Sequence, residues 1–191
     1  MKKTSLVMLM LLGLSPSAFA DWELLNDESS VHYVSIKSSN IGEINSFKKL
    51  SGSVADNGAV SLNINLASVE TNIPIRNERM QEMFFEVIKF AEAHISGDVD
   101  LARVAKLEVG ETYSDSITLK LSLHGVSKEI TSGVQITKLS GNKVLVTSLE
   151  PVLVNAEDYT LAQSIEALRV VASLPAISTV VPVTYSLVFK Q

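Results

Sequence analysis

Apolar and polar residues alternate with a period of two along most of this chain. Val60, Leu62, Ile64 and Leu66 are separated by Ser61, Asn63 and Asn65. Ile117, Leu119, Leu121 and Leu123 repeat the pattern, and so do Val181, Val183, Tyr185, Leu187 and Phe189. Alternation of this kind buries one face of a strand and leaves the other in water. Val31 to Lys37 is a further strand candidate, rich in β-branched and aromatic residues. Asp56-Asn57-Gly58 is a tight-turn signal and predicts a hairpin between 47–55 and 59–66. Ser140-Gly141-Asn142 plays the same part between Val134–Lys138 and Lys143–Leu149.

Two segments leave this rhythm. Ile75 to Phe85 lacks Gly and Pro, follows Pro74, and mixes charges with Met and Phe, which predicts a short helix. Leu161 to Leu174 carries Leu161, Ile165, Leu168 and Ala172 at helical spacing, with Pro175 beyond. Many short strands and two helices predict an all-β domain, a sandwich or a barrel. A barrel leaves no open edge, and with about eight strands its interior is either filled by side chains or holds one small ligand. Periodicity does not decide between the two.

The first twenty residues follow another logic. Lys2 and Lys3 precede an apolar run from Leu6 to Leu14, and Ala18-Phe19-Ala20 offers small residues for cleavage. Residues 1–20 are therefore expected to be a secretory signal peptide, with one domain over 21–191 located in the periplasm. The run is shorter than the roughly 20 residues of a spanning helix. The chain has 16 Lys+Arg against 21 Asp+Glu, and removing the two leader lysines takes the net charge from -5 to -7. Such an acidic domain without a basic patch is a poor partner for nucleic acid. The absence of cysteine excludes thiol catalysis, zinc–thiolate sites and iron–sulfur clusters.

Candidate chemistry is sparse. His32, His94 and His124 show no metal-ligand spacing, and the expectation is one surface histidine and two bonded locally. No G-x-S-x-G elbow and no Gly-rich phosphate loop occurs. Glu78 and Glu82 lie among Arg76 and Arg79, the pattern of an ion-paired solvated helix face. Met80, Met83, Phe84, Phe85 and Phe90 form an apolar cluster. It suits either a core plug or an adaptable wall for a chain-shaped guest, with Arg76 and Arg79 at its polar edge.

Several stretches together resemble a known family. Ser30-Val31-His32-Tyr33, Ser68-Val69-Glu70-Thr71, Arg76-Asn77-Glu78-Arg79-Met80, Phe84-Phe85 and Leu121-Ser122-Leu123-His124-Gly125-Val126 follow one another in the order and spacing of YceI-like proteins. Ala91 and Lys128-Glu129 stand where that family often has proline. The resemblance implies a lipocalin-like antiparallel β-barrel around an apolar tunnel, and a periplasmic binder of polyisoprenoid-like amphiphiles rather than an enzyme. It implies no metal and no cofactor. Arg76, Arg79, Met80, Phe84 and Phe85 match the helix motif and would stand at the tunnel mouth. Met83, Tyr33, Leu119, Leu121 and Tyr185 complete the expected wall and mouth. Gly125 would ease a tight exit from its strand. The expected partner is an isoprenoid, quinone or fatty-acid-like molecule, with room for a homodimer. Two rival readings remain open: a hydrolase or isomerase using His124 or His94, and a filled, ligand-free interaction module.

Overall fold

The computed structural model describes residues 21–191; the expected leader, residues 1–20, lies outside the described residues. Twelve strands follow the alternating segments: β1 (Trp22–Leu24), β2 (Ser30–Lys37), β3 (Ile41–Phe47), β4 (Leu50–Val54), β5 (Ala59–Asn65), β6 (Val69–Glu70), β7 (Glu92–Asp98), β8 (Thr112–Leu123), β9 (Val126–Leu139), β10 (Lys143–Ser148), β11 (Val152–Asn155) and β12 (Val180–Lys190). Helix α1 (Pro74–Arg79) lies between β6 and β7, and α2 (Ala162–Val171) between β11 and β12.

The twelve segments form eight staves. β1 and β2 lie end to end along β12, with Leu24 opposite Phe189 and Tyr33 opposite Val183. β10 and β11 do the same on the other side of β12. β3 with β4, and β5 with β6, are likewise broken halves of single staves. β7, β8, β9 and β12 are continuous. Every stave pairs antiparallel with its sequence neighbour, and β12 closes the ring on β1 and β2. The result is a closed eight-strand antiparallel meander, a barrel rather than a sandwich.

The register places both helices at one end, here the upper. Connections 38–40, 71–91, 124–125 and 156–179 lie there, and 55–58, 99–111 and 140–142 lie at the lower end. The 124–125 turn needs left-handed backbone, with φ of 50° at His124 and 79° at Gly125. A Cβ on Gly125 would come within 3.2 Å of the Phe90 ring, so glycine serves both conformation and space.

Pro74 opens α1 after extended Ile73, as expected from its fixed φ. Beyond Arg79 the helix widens into a π-turn over Met80–Phe84, closed by Phe85 N–H donating to Met80 O at 2.9 Å. This turn packs on α2. α2 keeps its expected apolar stripe, burying Leu161 and Ile165. It ends at Val171, before the predicted limit of Leu174, and Ser173 is left-handed there. No helix among the described residues is long and apolar enough to cross a membrane.

Candidate functional site

The barrel is hollow. A cavity of about 430 Å³ runs along its axis. Its wall is the inward face of the alternating runs, so the pattern that predicts strands also lays out the lining. Val60, Leu62, Ile64, Ile117, Leu119, Leu121, Val181, Val183 and Tyr185 all face it. Leu161, Ile165, Leu168 and Ala172 of the α2 region form its roof. Trp22, Val54 and Phe189 close its lower part. A methylene occupies roughly the 30 Å³ of a liquid water molecule, so a cavity of 430 Å³ takes about fourteen chain carbons.

The expected site residues mostly meet at this space. Tyr33, Arg76, Arg79, Met80, Phe84, Phe85, Leu119, Leu121 and Tyr185 lie on its wall. Met83 does not, and this corrects the sequence reading. The π-turn carries more residues per turn than an α-helix, so Met80, Phe84 and Phe85 share the inward face while Met83 falls off it. Phe90 also leaves the wall and packs against His124, with ring centroids 4.2 Å apart and the planes tilted by 47°. Phe84 and Phe85 meet edge to face at 4.7 Å, and Phe47 links Phe85 to Tyr33.

A polar cluster stands at the upper end. Lys37 Nζ donates to Glu43 Oε1 at 2.9 Å, and Arg76 Nη1 pairs with Glu43 Oε2. Arg76 Nη2 donates to Thr71 O at 3.1 Å. Arg76 therefore pairs with a strand carboxylate 33 residues away, not with Glu78 or Glu82 as its helix neighbours suggested. Bonding from Lys37 first, then from Arg76, holds the Glu43 carboxyl below its ordinary range against the opposing effect of burial. Glu43, Lys37 and Ser35 are wall residues the sequence reading missed. The available signal was parity: Ser35 and Lys37 continue the inward set of Val31 and Tyr33, and Glu43 the set of Phe47. Solvent reaches the cavity here, because Glu43, Arg76, Arg79 and Ser178 line it while staying partly exposed.

Two of the three tyrosines that face the cavity are in different states. Tyr185 OH and Ser132 Oγ are 2.8 Å apart, so that hydroxyl is satisfied within the wall. Tyr33 is 8% exposed, and its hydroxyl has no hydrogen-bond partner. Burial pushes the Tyr33 pKa far up while the charge of Arg76 pulls it partly back, so Tyr33 stays a protonated donor. Arg76 Nε is a second buried donor without a partner.

The histidines stand apart from the cavity. His32 is exposed on the outer wall. His94 Nδ1 lies 2.7 Å from Asn63 Oδ1. His124 bridges Glu86 Oε2 at 3.0 Å and Thr160 Oγ1 at 3.2 Å, tying together three upper connections. This is the expected division into one surface and two locally bonded histidines. No group of three or more potential metal ligands occurs among the described residues.

Comparison with known proteins now bears on this geometry. The family model described as the YceI-like domain matches residues 22–189, nearly the whole described chain. The chain belongs to the YceI-like family. Among solved YceI-like folds, a polyisoprenoid binding domain from Saccharophagus degradans, implicated in plant cell wall breakdown, is 38% identical. It superposes with a TM-score of 0.86, covering 88% of this chain and 97% of that one. BcnA of Burkholderia cenocepacia shares the fold at 18% identity and a TM-score of 0.66, over 86% of this chain and 98% of its own. A Campylobacter jejuni YceI protein is similar at 20% identity and a TM-score of 0.50, over 63% and 72%. No curated protein gives a significant match.

Proposed function

We propose that this YceI-like protein is a single-domain periplasmic carrier or sequestering protein for an amphiphilic isoprenoid or similar chain-shaped lipid, and that it performs no catalysis. The observation that carries this reading is the continuous, largely apolar cavity along the barrel axis, with its charged groups at the two ends. The polyisoprenoid-binding description of the Saccharophagus degradans relative supports it. A chain of about three isoprene units fills the space, and a longer one would emerge at the upper mouth. Affinity would come mainly from burial, about 0.8 kcal/mol per methylene. A leader at residues 1–20 would deliver the domain to a watery compartment where greasy molecules need shelter.

The test is native mass spectrometry of protein exported and purified without detergent, followed by titration with farnesol. A copurifying lipid, or saturable one-to-one binding of farnesol, is expected. Absence of both would return the barrel to the ligand-free reading. Export is checked separately, by finding the processed chain in the periplasmic fraction with Asp21 at its N-terminus.

A further inference from the structure

The head group of the ligand is written in the hydrogen bonds left unmade at the upper mouth. We infer that the mouth selects an acceptor oxygen, of the carbonyl or carboxylate kind, received by Tyr33 and Arg76. This rests on the chain-binding reading above and adds the polar end that reading leaves undefined.

Among the described residues, three buried side-chain polar atoms lack a partner: Tyr33 OH, Arg76 Nε and Asn45 Oδ1. Buried polar atoms are normally bonded, and leaving one unmet is costly. Two of the three belong to side chains on the cavity wall, and both of those atoms bear hydrogen. Asn45 shares the inward parity of Glu43 and Phe47 and lies opposite Tyr33, but it does not line the cavity; its amide nitrogen donates to Ser35 Oγ at 3.0 Å and to Glu43 O at 3.1 Å. Arg76 Nε can only donate, and Tyr33 OH can donate as well as accept, so both open atoms on these wall side chains can serve an acceptor. The complementary ligand atom is an acceptor.

The neighbouring charges agree. Among the described residues, Glu43 is the only carboxylate lining the upper mouth, and its two oxygens take bonds from Lys37 and Arg76. With two cations held on one carboxylate, little net negative charge is left there to draw a cationic head. Instead Glu43 aims the Arg76 guanidinium, whose Nη2 is fixed in turn by Thr71 O. With Lys37, Arg76 and Arg79 against Glu43, the local balance is positive. An amine head would meet repulsion there, and a carbonyl or carboxylate would not.

The experiment is a titration of one fifteen-carbon chain with four ends: farnesene, farnesal, farnesoic acid and farnesylamine. Binding is read by quenching of Trp22, the chain's single tryptophan, which lies on the cavity wall. Farnesal and farnesoic acid are expected to bind about fivefold or more tighter than farnesene, the order of one or two net hydrogen bonds, and farnesylamine weakest. Tyr33→Phe removes only an unpartnered hydroxyl, so it should fold normally and should shrink the advantage of farnesal while leaving farnesene unchanged. Arg76→Lys, which keeps the charge and loses Nε, should do the same. Carbonyl and carboxylate heads are separated by salt: only the advantage of farnesoic acid should fall with ionic strength. Equal binding of all four ends, or an advantage untouched by both variants, overturns this inference and leaves the chain-binding reading standing. Failure of all four to bind overturns the chain-binding reading itself.

Discussion

The two ends of the cavity are built from similar residues and end in opposite states. At the upper end, Lys37, Glu43 and Arg76 are linked, yet Tyr33 OH and Arg76 Nε remain without partners. At the lower end, Asp100, Asp115 and Tyr113 reach the cavity beneath the connection 99–111. There the Arg103 guanidinium lies 4.0 Å over the Tyr113 ring and 3.5 Å from Asp115 Oδ2. Lys138 covers the Trp22 ring at 4.8 Å. Both of these cations thus have an aromatic face beneath them, and among the described residues no buried donor is left open at that end. An unmade bond costs energy in a folded protein, so donors that stay open at one end only mark where a ligand's polar atom belongs. The tail then points toward Trp22.

The harshest test of this polarity removes the space between the ends. Leu119→Trp fills the middle of the cavity and should weaken farnesal binding about fiftyfold, the equivalent of about three methylenes no longer buried. Unchanged affinity by calorimetry would place the chain elsewhere. Smaller, and aimed at the contrast itself, is a pair of substitutions. Arg76→Gln should cost farnesal about fivefold through the lost donor, and Arg103→Gln should leave its affinity within experimental error. Equal losses in both variants would erase the distinction between the ends.

A third prediction concerns the frame that holds the upper end. His124→Ala removes two hydrogen bonds and the ring contact with Phe90, and should lower stability by about 1 kcal/mol in thermal or urea unfolding. The matching change on the outer wall, His32→Ala, should be near neutral. The smallest effect is a pH dependence. The folded-state pKa of Glu43 is depressed, so its contribution is present above the ordinary glutamate range and disappears as pH falls below it. Glu43→Gln should flatten that acid-side loss of stability. It should also raise affinity for farnesoic acid at neutral pH, since Arg76, Arg79 and Lys37 would then face no carboxylate.

The strands were legible where alternation was clean. β5, the upper part of β8 and β12 coincide with their runs, and the apolar members of those runs line the cavity. β8 begins at Thr112, earlier than its run, because Tyr113 and Asp115 occupy inward positions where alternation asks for aliphatic residues. β1 and β6 are too short to carry a period, so the broken staves were invisible. The helix motif located Arg76, Arg79, Met80, Phe84 and Phe85, whereas Met83, added to the expected wall beside them, does not line the cavity, because no local pattern announces a π-turn. The link between Arg76 and Glu43 was illegible for another reason. It depends on folding the 71–79 segment over the β2–β3 hairpin, a contact that sequence spacing does not encode. The unmet hydroxyl of Tyr33 is similarly a property of its surroundings, and Tyr185 shows that the residue type alone decides nothing.

Closure of the ring by its first and last staves has a consequence for how the chain folds. Seven of the eight stave pairings join sequence neighbours and can zip up locally. The eighth sets Glu23 against Lys190 and Tyr33 against Val183, nearly the full length of the described chain apart. That contact carries a large loop-closure entropy and should come late. Until β12 arrives, the partly built sheet shows two bare edges and an apolar face wide open to its surroundings. A greasy molecule met at that moment would be wrapped rather than admitted. Refolding in the presence of farnesal should therefore load the barrel faster than diffusion through the finished mouth, and stopped-flow mixing before and after closure would separate the two routes.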